Sequence, residues 1–237
     1  MSVSRHFVLA AGGTGGHMVP AHAVAEELMQ RGHHVALVTD ERGAKIPGLF
    51  NDVAVHVLPA GRMQGGPMGW IRGLRAIREG REMARRMYGT FRPSVVCGFG
   101  GYPALPALLA ALKEDIPTAV HEQNAVLGRV NRLLAHRVNA IATAYPDIER
   151  LSPKHLDKVH LVGNPVRAEV LALRDEEFPA LSDESVFRLL VTGGSQGATI
   201  LSSVVPEGLG LLPLSLRRRL QVSQQCRAED IEKVRAL

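Results

Sequence analysis

Apolar residues fall in short unbroken runs along this chain, separated by stretches of helical length. The runs His6–Ala11, Val35–Thr39, Val53–Leu58, Ser94–Gly98, Thr118–His121, Val138–Thr143 and Val159–Val162 read as strands. Between several of them, Pro20–Gln30, Ile71–Tyr88, Pro103–Lys113 and Gly128–Ala135 read as helices. Phe7-Val8-Leu9-Ala10 and Val35-Ala36-Leu37-Val38 contain no polar residue at all. A strand with one wet face alternates, so these must be covered on both faces, as in a parallel sheet with helices on each side. The expected fold class is α/β, with a first doubly wound, Rossmann-like domain over residues 1–164.

The pattern then restarts. Phe187–Val191 is another apolar strand, followed by Gly193-Gly194-Ser195-Gln196-Gly197, much as Phe7–Ala11 runs into Gly12-Gly13-Thr14-Gly15-Gly16. The two loops lie 181 residues apart (193 − 12) and share the order strand, Gly-Gly-(Thr or Ser)-x-Gly, helix. A second Rossmann-like domain over residues 165–237 follows, joined through Asn164-Pro165 and the acidic, proline-containing stretch 174–184. It offers one further strand, near Leu220–Ser223, and two or three helices. Two parallel strands cannot be covered on both faces. The second domain is therefore expected to be incomplete, truncated at its C-terminus.

Composition narrows the class. With 237 residues, 46% hydrophobic and 22% charged, the chain is globular in character. Two distant cysteines, Cys97 and Cys226, suit neither a disulfide scaffold nor a zinc site and fit a reducing compartment. The apolar run Phe7–Ala11 is too short for a signal peptide. The longest apolar stretch, Ala104–Leu112, contains Pro106 and falls short of the ~18 residues of a spanning helix.

The net charge of +5 is unevenly spread. Residues 62–92 carry eight arginines against Glu79 and Glu82, a net of +6, which leaves −1 for the remainder. The same segment holds the sole tryptophan, Trp70, beside Ile71 and Leu74, with Arg72, Arg75 and Arg78 interleaved. Basic residues beside an apolar cluster fit an anionic membrane surface. They fit equally an arginine-rich solvated helix whose apolar stripe packs on the sheet. Nucleic acid is poorly supported, because aromatics are only 4% and no recognition motif is present.

Three loops carry candidate chemistry on the first domain. Gly12–His17 lies between the first strand and first helix, where glycines admit close backbone approach and a helix N-terminus favours a phosphate. Gly100-Gly101-Tyr102-Pro103 follows the fourth strand, and His121-Glu122-Gln123-Asn124 the fifth. All fall at the C-terminal edge of the sheet, where open α/β folds bind ligands. A histidine, whose unperturbed pKa is ~6.5, suits general-base work, and His17 stands at this loop. Plain turns and a solvated histidine remain the bland alternatives. A dinucleotide site, as in a nicotinamide-dependent oxidoreductase, would claim Asp40, but its third glycine falls at Met18.

Together these motifs resemble the bacterial peptidoglycan N-acetylglucosaminyltransferase family (MurG). They are Gly12–His17, Gly100-Gly101-Tyr102, His121–Asn124, Gly163–Arg167 and Gly193–Ala198, in the family's order and across nearly the whole chain. The resemblance implies a GT-B fold of two Rossmann-like domains. It further implies inverting transfer of N-acetylglucosamine from UDP-N-acetylglucosamine to the 4-hydroxyl of the muramyl group of undecaprenyl-linked lipid I, giving lipid II. Carried over by position, Thr14, Gly15, Gly16, Asn124, Arg167, Ser195 and Gln196 would contact the sugar nucleotide. His17, Tyr102 and Glu122 would surround the reacting centre, with His17 the favoured base. The family uses no bound metal, and no cofactor is expected. It works as a peripheral protein on the cytoplasmic face of the inner membrane, with the segment around Trp70 facing the lipid. Should the truncated chain be the whole protein, it is expected to bind donor poorly. The alternative is then a catalytically dead module that binds lipid I or membrane.

Overall fold

The computed structural model describes residues 4–236 except 14, 60, 62–65, 183, 195 and 196. The chain divides into two compact units between Arg174 and Asp175. In the first, seven strands form one all-parallel sheet. They are β1 (His6–Ala11), β2 (His34–Thr39), β3 (Ala54–Val57), β4 (Val95–Gly100), β5 (Thr118–Glu122), β6 (Ala140–Thr143) and β7 (Val159–Leu161). The helices of this unit are α1 (Gly15–Gln30), α2 (Gly66–Phe91), α3 (Ala104–Lys113), α4 (Arg129–Leu134) and the short α5 (Ala168–Ala172).

Spatial order in the sheet is β3-β2-β1-β4-β5-β6-β7. The chain builds outward one way from β1 and then the other way from β4, so β1 and β4 flank the switch point where a crevice opens. Strand side chains alternate between the two faces, and both are covered. Val8, Ala10, Val38, Val96 and Val120 join the core made with α2, α3 and α4. Leu9, Ala11, Leu37 and Phe99 join the core made with Met18, Ala21 and Ala25 of α1. The unbroken apolar runs are explained by this double coverage.

Three elements depart from the sequence pattern. Strand β3 is one edge of the sheet, paired only with β2, and its Val55 and Val57 are exposed. Helix α1 starts at Gly15 rather than Pro20 and runs through the buried Pro20. That proline has no N–H for the Gly16 carbonyl, which loses its intrahelical donor. Helix α2 extends five residues earlier than Ile71, and its buried face is Gly69, Gly73, Gly80, Ala84 and Tyr88. Small residues let it lie close to the chain. A Cβ at Gly61 would stand 2.6 Å from the Gly73 Cα, and one at Gly80 2.6 Å from the Pro59 carbonyl oxygen.

The second unit holds two parallel strands, β8 (Phe187–Val191) and β9 (Leu220–Gln224), paired from Phe187↔Leu220 to Val191↔Gln224. Helices α6 (Thr199–Gly210), α7 (Leu214–Arg217) and α8 (Ile231–Arg235) accompany them. Among its described residues only Ser202 is buried, and Leu189, Leu190 and Val222 on the strands are exposed. Two strands leave both faces of a sheet largely open.

Candidate functional site

At the β1/β4 switch point the loops after β1 and β4 are in direct contact. A Cβ on Gly12 would collide with the Pro103 ring, and one on Gly101 would stand 2.7 Å from the Gly12 carbonyl oxygen. Gly101 also has φ +79°, a conformation that disfavours other residues. Gly100, at φ +99°, passes beneath the His17 ring, and its missing Cβ would lie 2.9 Å from His17 Cε1. The glycines therefore seat the histidine. A cleft of about 220 Å³ opens there, lined by His17, Gly100, Gly101, Tyr102, Glu122 and Asn124. The start of α4, with Gly128, Arg129 and Asn131, closes its other side.

Glu122 ends β5 and is 2% exposed. Its Oε1 accepts hydrogen bonds from the Asn124 backbone N–H (3.2 Å) and side-chain amide (3.1 Å). Its Oε2 accepts from the Gly128 N–H (2.8 Å) and from Asn131 Nδ2 (3.0 Å). A buried carboxylate needs such donors, and here they tie the loop after β5 to α4. Asn131 Oδ1 is buried, and no partner for it is found among the described residues.

The neighbouring His121, 3% exposed, belongs to a second network. Its Nε2 lies 3.0 Å from the Gly163 carbonyl oxygen, and its Nδ1 lies 2.9 Å from Gln123 Nε2. The other end of that amide, Gln123 Oε1, lies 3.0 Å from His17 Nδ1. Burial pushes the His121 pKa below the usual histidine value, with the Gly163 carbonyl and Glu122 pulling the other way.

Asp40, at the end of β2, is occupied by the protein itself. Its Oδ1 accepts from the Gly13 N–H (3.2 Å) and the Gly43 N–H (2.8 Å), and its Oδ2 pairs with Arg42 at 3.1 Å. This adds to the missing third glycine against a dinucleotide site. The carboxylate that would meet a ribose instead holds the glycine loop, and Met18, where the third glycine belongs, is 1% exposed in the core. A wider groove of about 490 Å³ beside it is lined by Asp40, Arg42, Leu58, Pro59 and Met83.

Of the sequence-derived site residues, the structure brings His17, Tyr102, Glu122 and Asn124 to one cleft. Gly15 and Gly16 open α1, whose first-turn N–H groups have no intrahelical acceptor. Arg167 precedes α5, is exposed, and does not line the cleft. Thr14, Ser195 and Gln196 lie outside the described residues. On the second unit, the Gln225 side-chain oxygen accepts from the Gly193 N–H at 3.0 Å, bracing that glycine loop. Trp70, Ile71 and Leu74 project from α2 into solvent, with Trp70 54% exposed, so they are not its packed stripe. Arg72, Arg75 and Arg78 are exposed with them. Arg75 pairs with Glu79, whereas Arg72 and Arg78 form no ion pair among the described residues. Among the described residues, no helix is long and apolar enough to cross a membrane. Sequence reasoning missed Gln123, Arg129 and Asn131. Gln123 sat inside a flagged motif, but nothing in its spacing announced a partner 106 residues away.

Comparison with known proteins gives a consistent result. The pattern of the glycosyltransferase family 28 N-terminal domain matches residues 7–143, and that of the family 28 C-terminal domain matches residues 188–236. A protein of Erythrobacter litoralis is 66% identical over 98% of this chain and 58% of its own length. One from Novosphingobium aromaticivorans is 68% identical over 99% of this chain and 61% of its own length. Both carry the name UDP-N-acetylglucosamine–N-acetylmuramyl-(pentapeptide) pyrophosphoryl-undecaprenol N-acetylglucosamine transferase. The crystal structure of Acinetobacter baumannii MurG superposes with a TM-score of 0.73 at 29% identity, covering 98% of this chain and 64% of that one. The chain spans about 60% of the length of the curated relatives it matches.

Proposed function

The chain belongs to glycosyltransferase family 28 and has the α/β GT-B fold. From that premise we propose that it transfers N-acetylglucosamine from UDP-N-acetylglucosamine to the 4-hydroxyl of a muramyl group carried on undecaprenyl diphosphate. The observation that carries this reading is the seating of His17 over Gly100, at a cleft where three loops converge. In this reading the acceptor hydroxyl enters the cleft, and His17 takes its proton as the oxygen attacks C1 of the sugar. The bond from C1 to the diphosphate oxygen breaks, the configuration inverts, and UDP leaves. Charge developing on the diphosphate is met by N–H groups at helix starts rather than by a metal. The Gly13 N–H is already bound by Asp40, so the first turn of α1 at Gly15 and Gly16 supplies them on this unit.

Residues 1–164 take the acceptor and residues 165–237 begin the donor-binding domain, with Thr14, Asn124, Arg167, Ser195 and Gln196 on the sugar nucleotide. Tyr102 shapes the wall beside His17. The four donors on Glu122 suit it to holding the loop in place more than to taking a proton. The protein acts as a peripheral enzyme on the cytoplasmic face of the inner membrane, with Trp70, Ile71 and Leu74 against anionic lipid.

The test is incubation with radiolabelled UDP-N-acetylglucosamine and lipid I in anionic vesicles. Label should pass into the lipid fraction as a β-linked disaccharide. Vesicle pelleting without any transfer would overturn the reading and leave a lipid-binding module.

A further inference from the structure

The hydrogen bonds that join His17, Gln123 and His121 end on backbone carbonyls, and that fixes every proton between them. His121 Nε2 faces the Gly163 carbonyl oxygen at 3.0 Å, and a carbonyl can only accept, so Nε2 carries a proton. A neutral ring then has its lone pair on Nδ1. Burial favours that neutral form. Gln123 Nε2 lies 2.9 Å from this lone pair and 3.0 Å from the His121 carbonyl oxygen. Two acceptors use both of its N–H bonds. The opposite amide orientation would set oxygen against both of them, so the placement of nitrogen and oxygen follows from the network.

Gln123 Oε1 is consequently an acceptor aimed at His17 Nδ1, 3.0 Å away. The His17 proton must sit on Nδ1, and in the neutral ring the lone pair is left on Nε2. No partner of Nε2 is found among the described residues, and the ring lines the cleft. A free histidine side chain prefers the opposite arrangement, with the proton on Nε2, so the protein imposes this form. The bond made by one ring nitrogen decides what the other can do.

We propose that Gln123 is a positioning residue that fixes the proton of His17 on Nδ1 and so presents the Nε2 lone pair at the cleft. This rests on His17 serving as the base in the transfer proposed above. His121 acts one step behind, holding the Gln123 amide in the required orientation from the Gly163 carbonyl. The logic is that of any base whose second nitrogen is held by a third group. A misplaced proton disables the base without disturbing its position.

The experiment is nitrogen-15 NMR of the intact chain with labelled histidines, at alkaline pH, with His17 assigned by a His17→Gln control. The expected spectrum shows His17 protonated at Nδ1 and bare at Nε2. In Gln123→Met, similar in length but with no donor and only a weak thioether acceptor, the proton should move to Nε2. Transfer kcat should then fall at least about tenfold with KM changed less than about threefold. A wild-type ring protonated at Nε2, or the same Nδ1 form in Gln123→Met, would overturn the proposal. The wild-type spectrum decides even if that variant fails to fold. A proton that moves while kcat stays unchanged would leave the structural assignment standing and remove His17 as the base.

Discussion

His17 was legible as a residue poised where a glycine loop enters a helix, because that placement depends only on local order along the chain. Gln123 was not, because its partner lies 106 residues away and its task depends on which end of an amide faces which ring. Asp40 was legible as a polar residue closing an apolar strand, but its partner was not. A carboxylate at that strand end can meet a ribose or the adjacent loop, and only the fold shows that Gly13 and Gly43 occupy it. Glu122 illustrates the energetic side of the same point. Replacing it with Ala removes the acceptor of the Asn124 and Gly128 N–H groups and one of the two acceptors of the buried Asn131 amide. Glu122→Ala should lower stability by roughly 3 kcal/mol, read from urea unfolding. A loss under about 0.5 kcal/mol would mean water replaces the carboxylate at little cost.

Among the elements, the strands of the first unit were the most readable. Val8 and Ala10 on one face and Leu9 and Ala11 on the other are all apolar, and the two cores confirm why. Helix α2 was the least readable. Its apolar residues fitted a membrane-facing patch and a packed stripe equally; the fold buries Gly69, Gly73 and Gly80 with Ala84 and Tyr88 and leaves Trp70, Ile71 and Leu74 outside. The glycine part of that face carries no hydrophobic signal, because close approach of backbones, not side-chain area, holds it. Arg72, Arg75 and Arg78 surround the exposed apolar residues, and each basic residue near an anionic surface contributes ~1 kcal/mol before screening. Replacing all three with Gln should weaken binding to anionic vesicles at least about tenfold, measured by co-sedimentation. Undiminished binding would return α2 to an ordinary solvated helix.

For the whole molecule, the strand order around β1 and β4 turns three loops distant in sequence into one cleft. The topology followed from the pattern of strands and helices, whereas the cleft's inner wiring followed only from the fold. The second unit repeats the strand-glycine loop-helix beginning of the first, yet buries only Ser202 among its described residues. The central claim is that the covered cleft performs base catalysis through His17. The most direct measurement is the transfer kcat of His17→Ala beside the wild type, with lipid I and UDP-N-acetylglucosamine saturating. A fall of about 100-fold or more is predicted. A fall of less than about threefold would contradict the claim and move proton removal to another group or to solvent.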